Sequence, residues 1–221
     1  MKYDLHQDDA VSFLGNLHDG CVDLCITDLP YESLEKHRAK GTTTRLKHSK
    51  GSSNDWFDIF PNARFEELFG EVHRVLKPNT HFYFFCDEDT KDVAKPIGKA
   101  AGFTFWKAII WDKVNIGMGY HYRSRYEYIL FFEKGRRKLN DLGKSDILTH
   151  KRVYKGYPCE KPLGLAAELI TQSSEPEELV LDPFMGSGAT GVDALRNGRY
   201  FMGNDLSASS LAYATPRLEA E

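Results

Sequence analysis

Cysteine is scarce: the 221 residues hold four, Cys21, Cys25, Cys86 and Cys159. No two have C-x-x-C spacing, and two sit inside apolar, strand-like runs. Reduced thiols are expected, and no metal site. No apolar run approaches the ~20 residues of a membrane span. The Met1-Lys2-Tyr3-Asp4 start lacks the apolar core of an export signal, so a cytoplasmic, non-membrane protein is expected. No internal repeat and no long linker divide the chain. A dominant charge sign is missing too: the formal net charge is −3 and the isoelectric point about 6.3. That balance alone gives no support to a nucleic-acid partner. Apolar material is ample, at 41% hydrophobic and 13% aromatic with 14 Phe and 11 Tyr. This is enough for a sizeable core and argues against wholesale disorder. The length fits a single domain over 1–221.

The basic residues are unevenly spread. Lys36, Arg38, Lys40, Arg45, Lys47 and Lys50 crowd the polar, Gly/Ser/Thr-rich segment 32–55. Lys134, Arg136, Arg137, Lys138, Lys144, Lys151, Arg152 and Lys155 crowd 134–157. Together they hold about half of the 29 lysines and arginines. Two basic loops on a neutral body match a phosphate-binding cleft. Plain solvated loops are the simpler alternative.

Periodicity predicts alternating strands and helices. Residues 22–27 read as a strand ending at Asp28, and 32–55 as a loop. Residues 61–76 read as a helix with Phe65, Leu68, Phe69, Val72 and Leu76 on one face, stopped by Lys77-Pro78-Asn79. A buried strand is expected at 81–86, and a helix at 87–101 with Pro96 as a kink or break. Strands at 105–111 and 126–133 are expected to pair antiparallel at an edge. Then follow a helix at 161–172, a strand at 178–181, a helix at 188–197 and a strand at 200–203. The order predicts an α/β fold with a mostly parallel sheet.

Leu179 to Gly191 reads as strand, tight turn and helix: L-V-L-D-P-F-M-G-S-G-A-T-G. Its glycines allow a close backbone approach, and the helix start offers N–H groups to an anionic ligand. Asp205 follows the next strand, 19 residues after Gly186, where a carboxylate can hold both ribose hydroxyls. The G-x-G-x-x-G match first suggests a dinucleotide. However, only about 30 residues follow it, too few for a dinucleotide fold's remaining half. A nucleoside ligand without a pyrophosphate, such as S-adenosylmethionine, fits better. The second constellation, Asp28-Leu29-Pro30-Tyr31, sets a carboxylate, a stiffened turn and an aromatic ring after a strand. Such a group can grip a planar amine, with Asp28 and a backbone carbonyl accepting N–H bonds and Tyr31 stacking on the ring.

With these motifs in this order, the chain resembles the permuted β-class DNA amino-methyltransferases. Asp28-Leu29-Pro30-Tyr31 resembles their D-P-P-Y, with Leu29 in place of the first proline. Asp182-Pro183-Phe184-Met185-Gly186-Ser187-Gly188 resembles D-P-F-x-G-S-G. Gly203-Asn204-Asp205 resembles the ribose-binding G-x-[ED], and Asp8-Asp9-Ala10 resembles G-D-A, whose acid lies near the donor adenine. Glu160-Lys161-Pro162 resembles the E-K-P that opens a helix beside the donor's carboxylate. The resemblance implies a circularly permuted, Rossmann-like class I methyltransferase fold. It also implies transfer of a methyl group from S-adenosylmethionine to the exocyclic amine of a flipped-out base in DNA. By it, Asp28, Leu29, Pro30 and Tyr31 would form the catalytic turn. Asp9, Lys161, Asp182, Phe184, Gly186, Ser187, Gly188, Thr190 and Asp205 would hold the donor. Lys36, Arg38, Arg45, Lys47, Arg136, Arg137, Lys138 and Arg152 would face DNA.

The family's cytosine members usually carry Ser where Asp28 stands, so N6 of adenine is favoured over N4 of cytosine. An inactive donor-binding subunit is a further alternative, though every chemical position is filled. Carbon-5 chemistry is disfavoured, because Pro158-Cys159 adjoins the donor-side E-K-P and no Glu-Asn-Val partner exists. Homodimerisation and a role in restriction–modification are suggested only by the relatives' habits.

Overall fold

The structure is a computed structural model that describes residues 2–34, 58–117 and 121–221. Among these residues eight strands form one sheet: β1 (Tyr3–His6), β2 (Val22–Thr27), β3 (Leu76–Cys86), β4 (Thr104–Asp112), β5 (Tyr126–Lys134), β6 (Ile147–Thr149), β7 (Leu179–Asp182) and β8 (Tyr200–Asn204). Their order is β1-β8-β7-β2-β3-β5-β4-β6. Of these strands, only β5 runs against the rest, antiparallel to both β3 and β4. The expected antiparallel pair is therefore present, but the three-residue β6 lies parallel outside β4 and covers that edge.

Six α-helices lie among the described residues, α1 (Ala10–Gly15), α2 (Phe65–Val75), α3 (Glu88–Ala100), α4 (Leu165–Ser173), α5 (Ala189–Arg196) and α6 (Ala208–Glu219), with a 3-10 turn at Asn62–Arg64 leading into α2. None is long and apolar enough to cross a membrane. Helix α2 buries Phe65, Leu68, Phe69 and Val72, as its spacing predicted, together with Val75, whereas Leu76, expected on the same face, is instead the first residue of β3. These side chains join Phe82, Phe84 and Phe132 in one aromatic-rich core on that side of the sheet. The opposite side packs Leu165, Leu169, Ile170, Val192 and Leu218 against Ile26, Tyr83 and Phe201. A sheet covered on both faces explains why β2 is buried along its whole length.

Several boundaries differ from expectation for local reasons. Lys77-Pro78-Asn79 lies inside β3, at a register shift in its pairing with β2, where Asn79 takes φ 62°. A bulge accommodates a proline that a regular ladder would not. Pro96 does not end α3, which runs from its Asp87 cap to Ala100. Helix α4 begins at Leu165, after Gly164 at φ 93°, instead of at Lys161. The buried Asp193 carboxylate of α5 caps it, accepting from Gly164 N (2.9 Å) and Ala167 N (3.1 Å). Lys161 therefore lies in the non-helical approach to α4.

One polar chain crosses the second core. The His81 ring is fully buried, with Nε2 3.1 Å from the Arg137 carbonyl and Nδ1 2.7 Å from Ser173 Oγ. A carbonyl only accepts, so Nε2 carries the proton and Nδ1 accepts from Ser173. Tyr83 completes the relay, its hydroxyl 2.7 Å from Ser173 Oγ. Burial holds this imidazole down at about 4. The folded state thus binds a proton less readily than the unfolded chain. The stability from neutral His81 is present above the ordinary histidine range and is lost as pH falls toward about 4. Urea midpoints for the wild type should fall between pH 7 and 4.5, and His81→Gln should remove part of that slope. An unchanged slope would exclude this histidine as its source.

Candidate active site

Parallel strands deliver their ends to one edge of the sheet. β2 ends beside Asp28, β7 at Asp182, β8 beside Asp205 and β3 beside Asp87. The antiparallel β5 begins at this edge, which brings Glu127 to it, while β4 ends there just before Lys113. Between these ends lies a cavity of about 1010 Å³. Its walls include Asp28, Leu29, Pro30 and Tyr31 as well as Asp182, Phe184, Gly186, Ser187, Thr190 and Asp205. Two motifs far apart in sequence thus share one space, at the top of the ~300–1,000 Å³ range for single-ligand pockets.

The glycine loop is knitted into its neighbours. Gly186 N donates to one Asp205 carboxylate oxygen (3.0 Å) and Ser207 N to the other (2.9 Å). Each oxygen keeps a further lone pair, the acceptor pattern that two adjacent hydroxyls need. Asn204 ties the loop down through Pro183 O (3.2 Å) and reaches Asp8 O (3.0 Å). Gly188 sits at φ 73° before α5, and a Cβ there would lie 2.8 Å from Ala214 Cβ. Asp182 accepts from Thr27 Oγ1 (3.3 Å) and Phe184 N (3.1 Å). Burial, aided by the nearby Asp28 charge, pushes its carboxyl up to about 7.

The other end of the cavity is built on a charge chain. Lys161 Nζ pairs closely with Asp28 Oδ2 and lies 3.4 Å from Glu127 Oε2. Glu127 Oε1 in turn pairs with Lys113 Nζ at 2.5 Å. The Lys161 ammonium also rests over the rings of Phe85 (5.3 Å) and Trp111 (5.5 Å). Burial pushes the Asp28 carboxyl up against the pull of Lys161, with Glu127 adding to the rise. Burial acts on Glu127 as well, yet Lys161 and Lys113 together hold it below its ordinary value. Tyr31 is buried and bridges to Phe60, whose N–H donates to Pro30 O (2.8 Å). The Phe60 ring meets Phe184 edge-on at 5.2 Å, which links the two motifs.

Not every expected residue meets the cavity as foreseen. Asp9 lines it, but its carboxylate is engaged: it caps α1 and holds Arg64 through both oxygens (2.7 and 2.8 Å), which drives its carboxyl down to about 2. Lys161 engages Asp28. Lys36, Arg38, Arg45 and Lys47 lie outside the described residues. Arg152 lines the cavity. Arg136, Arg137 and Lys138 do not, because β5 runs away from the site and carries them to the opposite edge, roughly 27 Å along the strand. Arg137 there pairs with Glu175 and Glu178 (3.8 and 3.6 Å). The 134–157 segment is thus divided between both edges, since β6 brings the chain back to the site. Glu127 and Lys113 had been given no role from sequence. The available signal was an acidic residue near the start of a largely apolar strand, a signal that Glu133 near its other end shares.

The glycine-loop geometry is directly testable. Gly188→Ala combines a left-handed backbone with a clash, roughly 2–4 kcal/mol together. Calorimetry should show Tm falling by roughly 5–10 °C. The matched control Gly15→Ala, with nothing within 4 Å of the added Cβ, should leave Tm nearly unchanged.

Comparison with known proteins agrees with this architecture. YubD of Escherichia coli (strain K12) is 30% identical over 203 residues, covering 90% of this chain and 83% of YubD. The DNA adenine methyltransferase YhdJ of the same organism is 27% identical over 252 residues, covering 96% of this chain and 81% of YhdJ. Among solved structures, TTHA0409 from Thermus thermophilus, complexed with S-adenosyl-L-methionine, superposes with a TM-score of 0.72 at 21% identity, over 99% of this chain and 95% of that one. The cytosine-N4-specific PvuII DNA methyltransferase superposes with a TM-score of 0.75 at 17% identity, over 98% and 88%. These likenesses give the fold, that of class I methyltransferases. The N6_N4_Mtase family, described as DNA methylase, matches residues 22–215, a span that takes in the Asp28 turn, the charge chain and the glycine loop, and the chain belongs to that family.

Proposed function

We propose that this protein transfers a methyl group from S-adenosylmethionine to the exocyclic N6 amine of an adenine swung out of DNA. The observation that carries this reading is the shared cavity: an amine-gripping turn and a ribose-gripping carboxylate open into the same space. A base held at one end then faces a donor held at the other. Fold alone leaves the base open, because the cytosine-N4-specific PvuII enzyme shares it. The aspartate at position 28 and the likeness to the adenine methyltransferase YhdJ favour adenine over cytosine.

The donor supplies an electrophilic methyl group on a sulfonium. The protein's task is geometry. An aromatic amine is a poor nucleophile because its lone pair is delocalised into the ring. Asp28 and the Leu29 carbonyl, accepting its two N–H bonds, favour a tetrahedral nitrogen whose lone pair points into the cavity. Tyr31 and Pro30 define that end of the space, and orientation is the main contribution to rate. After transfer the amine is acidic, and its proton passes to Asp28 or water. Asp205 would hold the ribose hydroxyls, with Gly186, Ser187, Gly188 and Thr190 forming the surrounding backbone cradle, Asp182 and Phe184 its wall, and Asp9 its outer rim. The amine is reachable only when the base leaves the duplex. Arg152, at the cavity wall, would hold phosphates, together with Lys36, Arg38, Arg45 and Lys47. The reading extends to a cytoplasmic enzyme in a restriction–modification setting, as monomer or homodimer.

Incubation with tritiated donor and unmethylated DNA, followed by digestion, identifies the labelled nucleoside. Label should appear in N6-methyladenine and fall by roughly 10²-fold or more in Asp28→Ala. Label in N4-methylcytosine would overturn the base assignment. Donor binding with no label in any DNA would favour the inactive-subunit alternative.

A further inference from the structure

The charge chain raises a difficulty for the proposed reaction. Asp28 must accept an N–H from a neutral amine, but one oxygen of its carboxylate, Oδ2, is already held by the Lys161 ammonium. Charged hydrogen bonds are roughly twice as strong as neutral ones. A neutral amine cannot strip an ammonium from a carboxylate unless the ammonium has another carboxylate to go to. Glu127 is that second partner. Its Oε2 lies 3.4 Å from Lys161 Nζ, so a short slide completes the transfer. Lys113, at 2.5 Å on the opposite oxygen, keeps Glu127 ionised and fixed in place. The rings of Phe85 and Trp111, 5.3 and 5.5 Å from the ammonium, interact with it without directing it to one acceptor. All four charged side chains are largely shielded, with 13–29% of each exposed, so water screens the contest weakly.

We propose that Glu127 is a positioning residue that takes Lys161 from Asp28 as the target amine arrives, with Lys113 holding Glu127 ready. This inference rests on the amino-methyltransferase reading above. It assigns to one glutamate the release of the catalytic aspartate. Without it, Lys161 and Asp28 stay locked as a closed pair. The two carboxylates differ accordingly. Glu127, between two ammoniums, is held in its charged form, while Asp28 is left as the more basic of the two, suited to gripping an N–H and receiving a proton.

The test uses the intact protein with DNA and donor. Glu127→Gln keeps the shape and removes the charge. It should lower kcat by roughly tenfold or more while the donor Kd, read by calorimetry, and the KM for DNA stay within about twofold, the signature of an interaction needed at the chemical step. Glu127→Asp should recover part of the loss. The acid limb of the kcat–pH profile adds a readout that a merely structural role would not move. Removing the Glu127 charge makes Asp28 more acidic, so the limb shifts to lower pH. In Lys113→Met the loss of a positive charge makes Asp28 less acidic, and the limb shifts to higher pH. Opposite displacements in two variants that melt at the wild-type temperature support the hand-over. Should Glu127→Gln melt early, Lys113→Met still carries the pH readout, and Glu127→Asp, which keeps the charge on a shorter side chain, should lower kcat without displacing the limb. Wild-type kcat in Glu127→Gln would overturn it, because the amine would then be using the other Asp28 oxygen with Lys161 in place. A loss confined to donor affinity would also overturn it, by placing Lys161 on the donor. A wild-type protein that labels no DNA would instead overturn the underlying functional reading, and this inference with it.

Discussion

The parallel pairing of β2 with β7 is the constraint from which the site follows. Leu24 and Cys25 lie opposite Val180 and Leu181, so the two strands end within one residue of each other. On the β7 side the chain continues to β8 and β1, and on the β2 side to β3 and β5. The sheet therefore reverses its direction of growth at this junction, and a crevice opens outside the strand ends. Asp28 and Asp182 are brought to one wall by that pairing alone, with Thr27 bonding directly to Asp182. A one-residue slip would turn the slipped strand's side chains to the wrong faces. The continuous burial of β2 makes such a slip costly.

A junction of this kind forces carboxylates into poorly hydrated surroundings, and the molecule answers in two ways. Asp182 is given neutral donors, a hydroxyl and an N–H, and its carboxyl rises to about 7. Asp28 and Glu127 are given lysines. Burying two ammoniums and two carboxylates costs more in desolvation than an apolar cluster of the same volume would. The chain retains them next to Phe85 and Trp111, where aliphatic packing was available. Stability alone does not account for that choice. Elsewhere the ion pairs, such as Arg64 with Asp9 or Arg217 with Glu160, join separate elements to each other, which is an ordinary structural task.

Much of this was legible because it was local. The α2 face, the strand–glycine turn–helix unit and the strand before Asp28 each follow from spacing within a dozen residues. The short pieces escaped: β1, α1 and β6 are too brief to show a period, and each is stabilised by partners distant in sequence. The two ends of the 134–157 segment have similar composition, so charge counting could not separate them. Only the antiparallel direction of β5 sends Arg136 away from the cavity, and only β6 returns Arg152 to it. Asp9 illustrates the reverse case. Its place in the motif is right, but no local signal announces Arg64, which comes from the other end of a long intervening stretch of chain.

The charge chain also bears on which base the site suits. A serine in place of Asp28 would leave Lys161 with only Glu127, and the four-charge chain would become a three-charge one with a net positive site. Such a site would repel the cationic sulfonium that the proposed donor brings. With aspartate the chain is neutral before the donor enters, and its charges can be reapportioned without changing that total. The identity of residue 28 is therefore coupled to Lys161, Glu127 and Lys113. The aspartate on which the adenine proposal rests also balances the two lysines, Lys113 and Lys161, that line the cavity with it. On the proposed reading, base preference and electrostatic balance are one constraint.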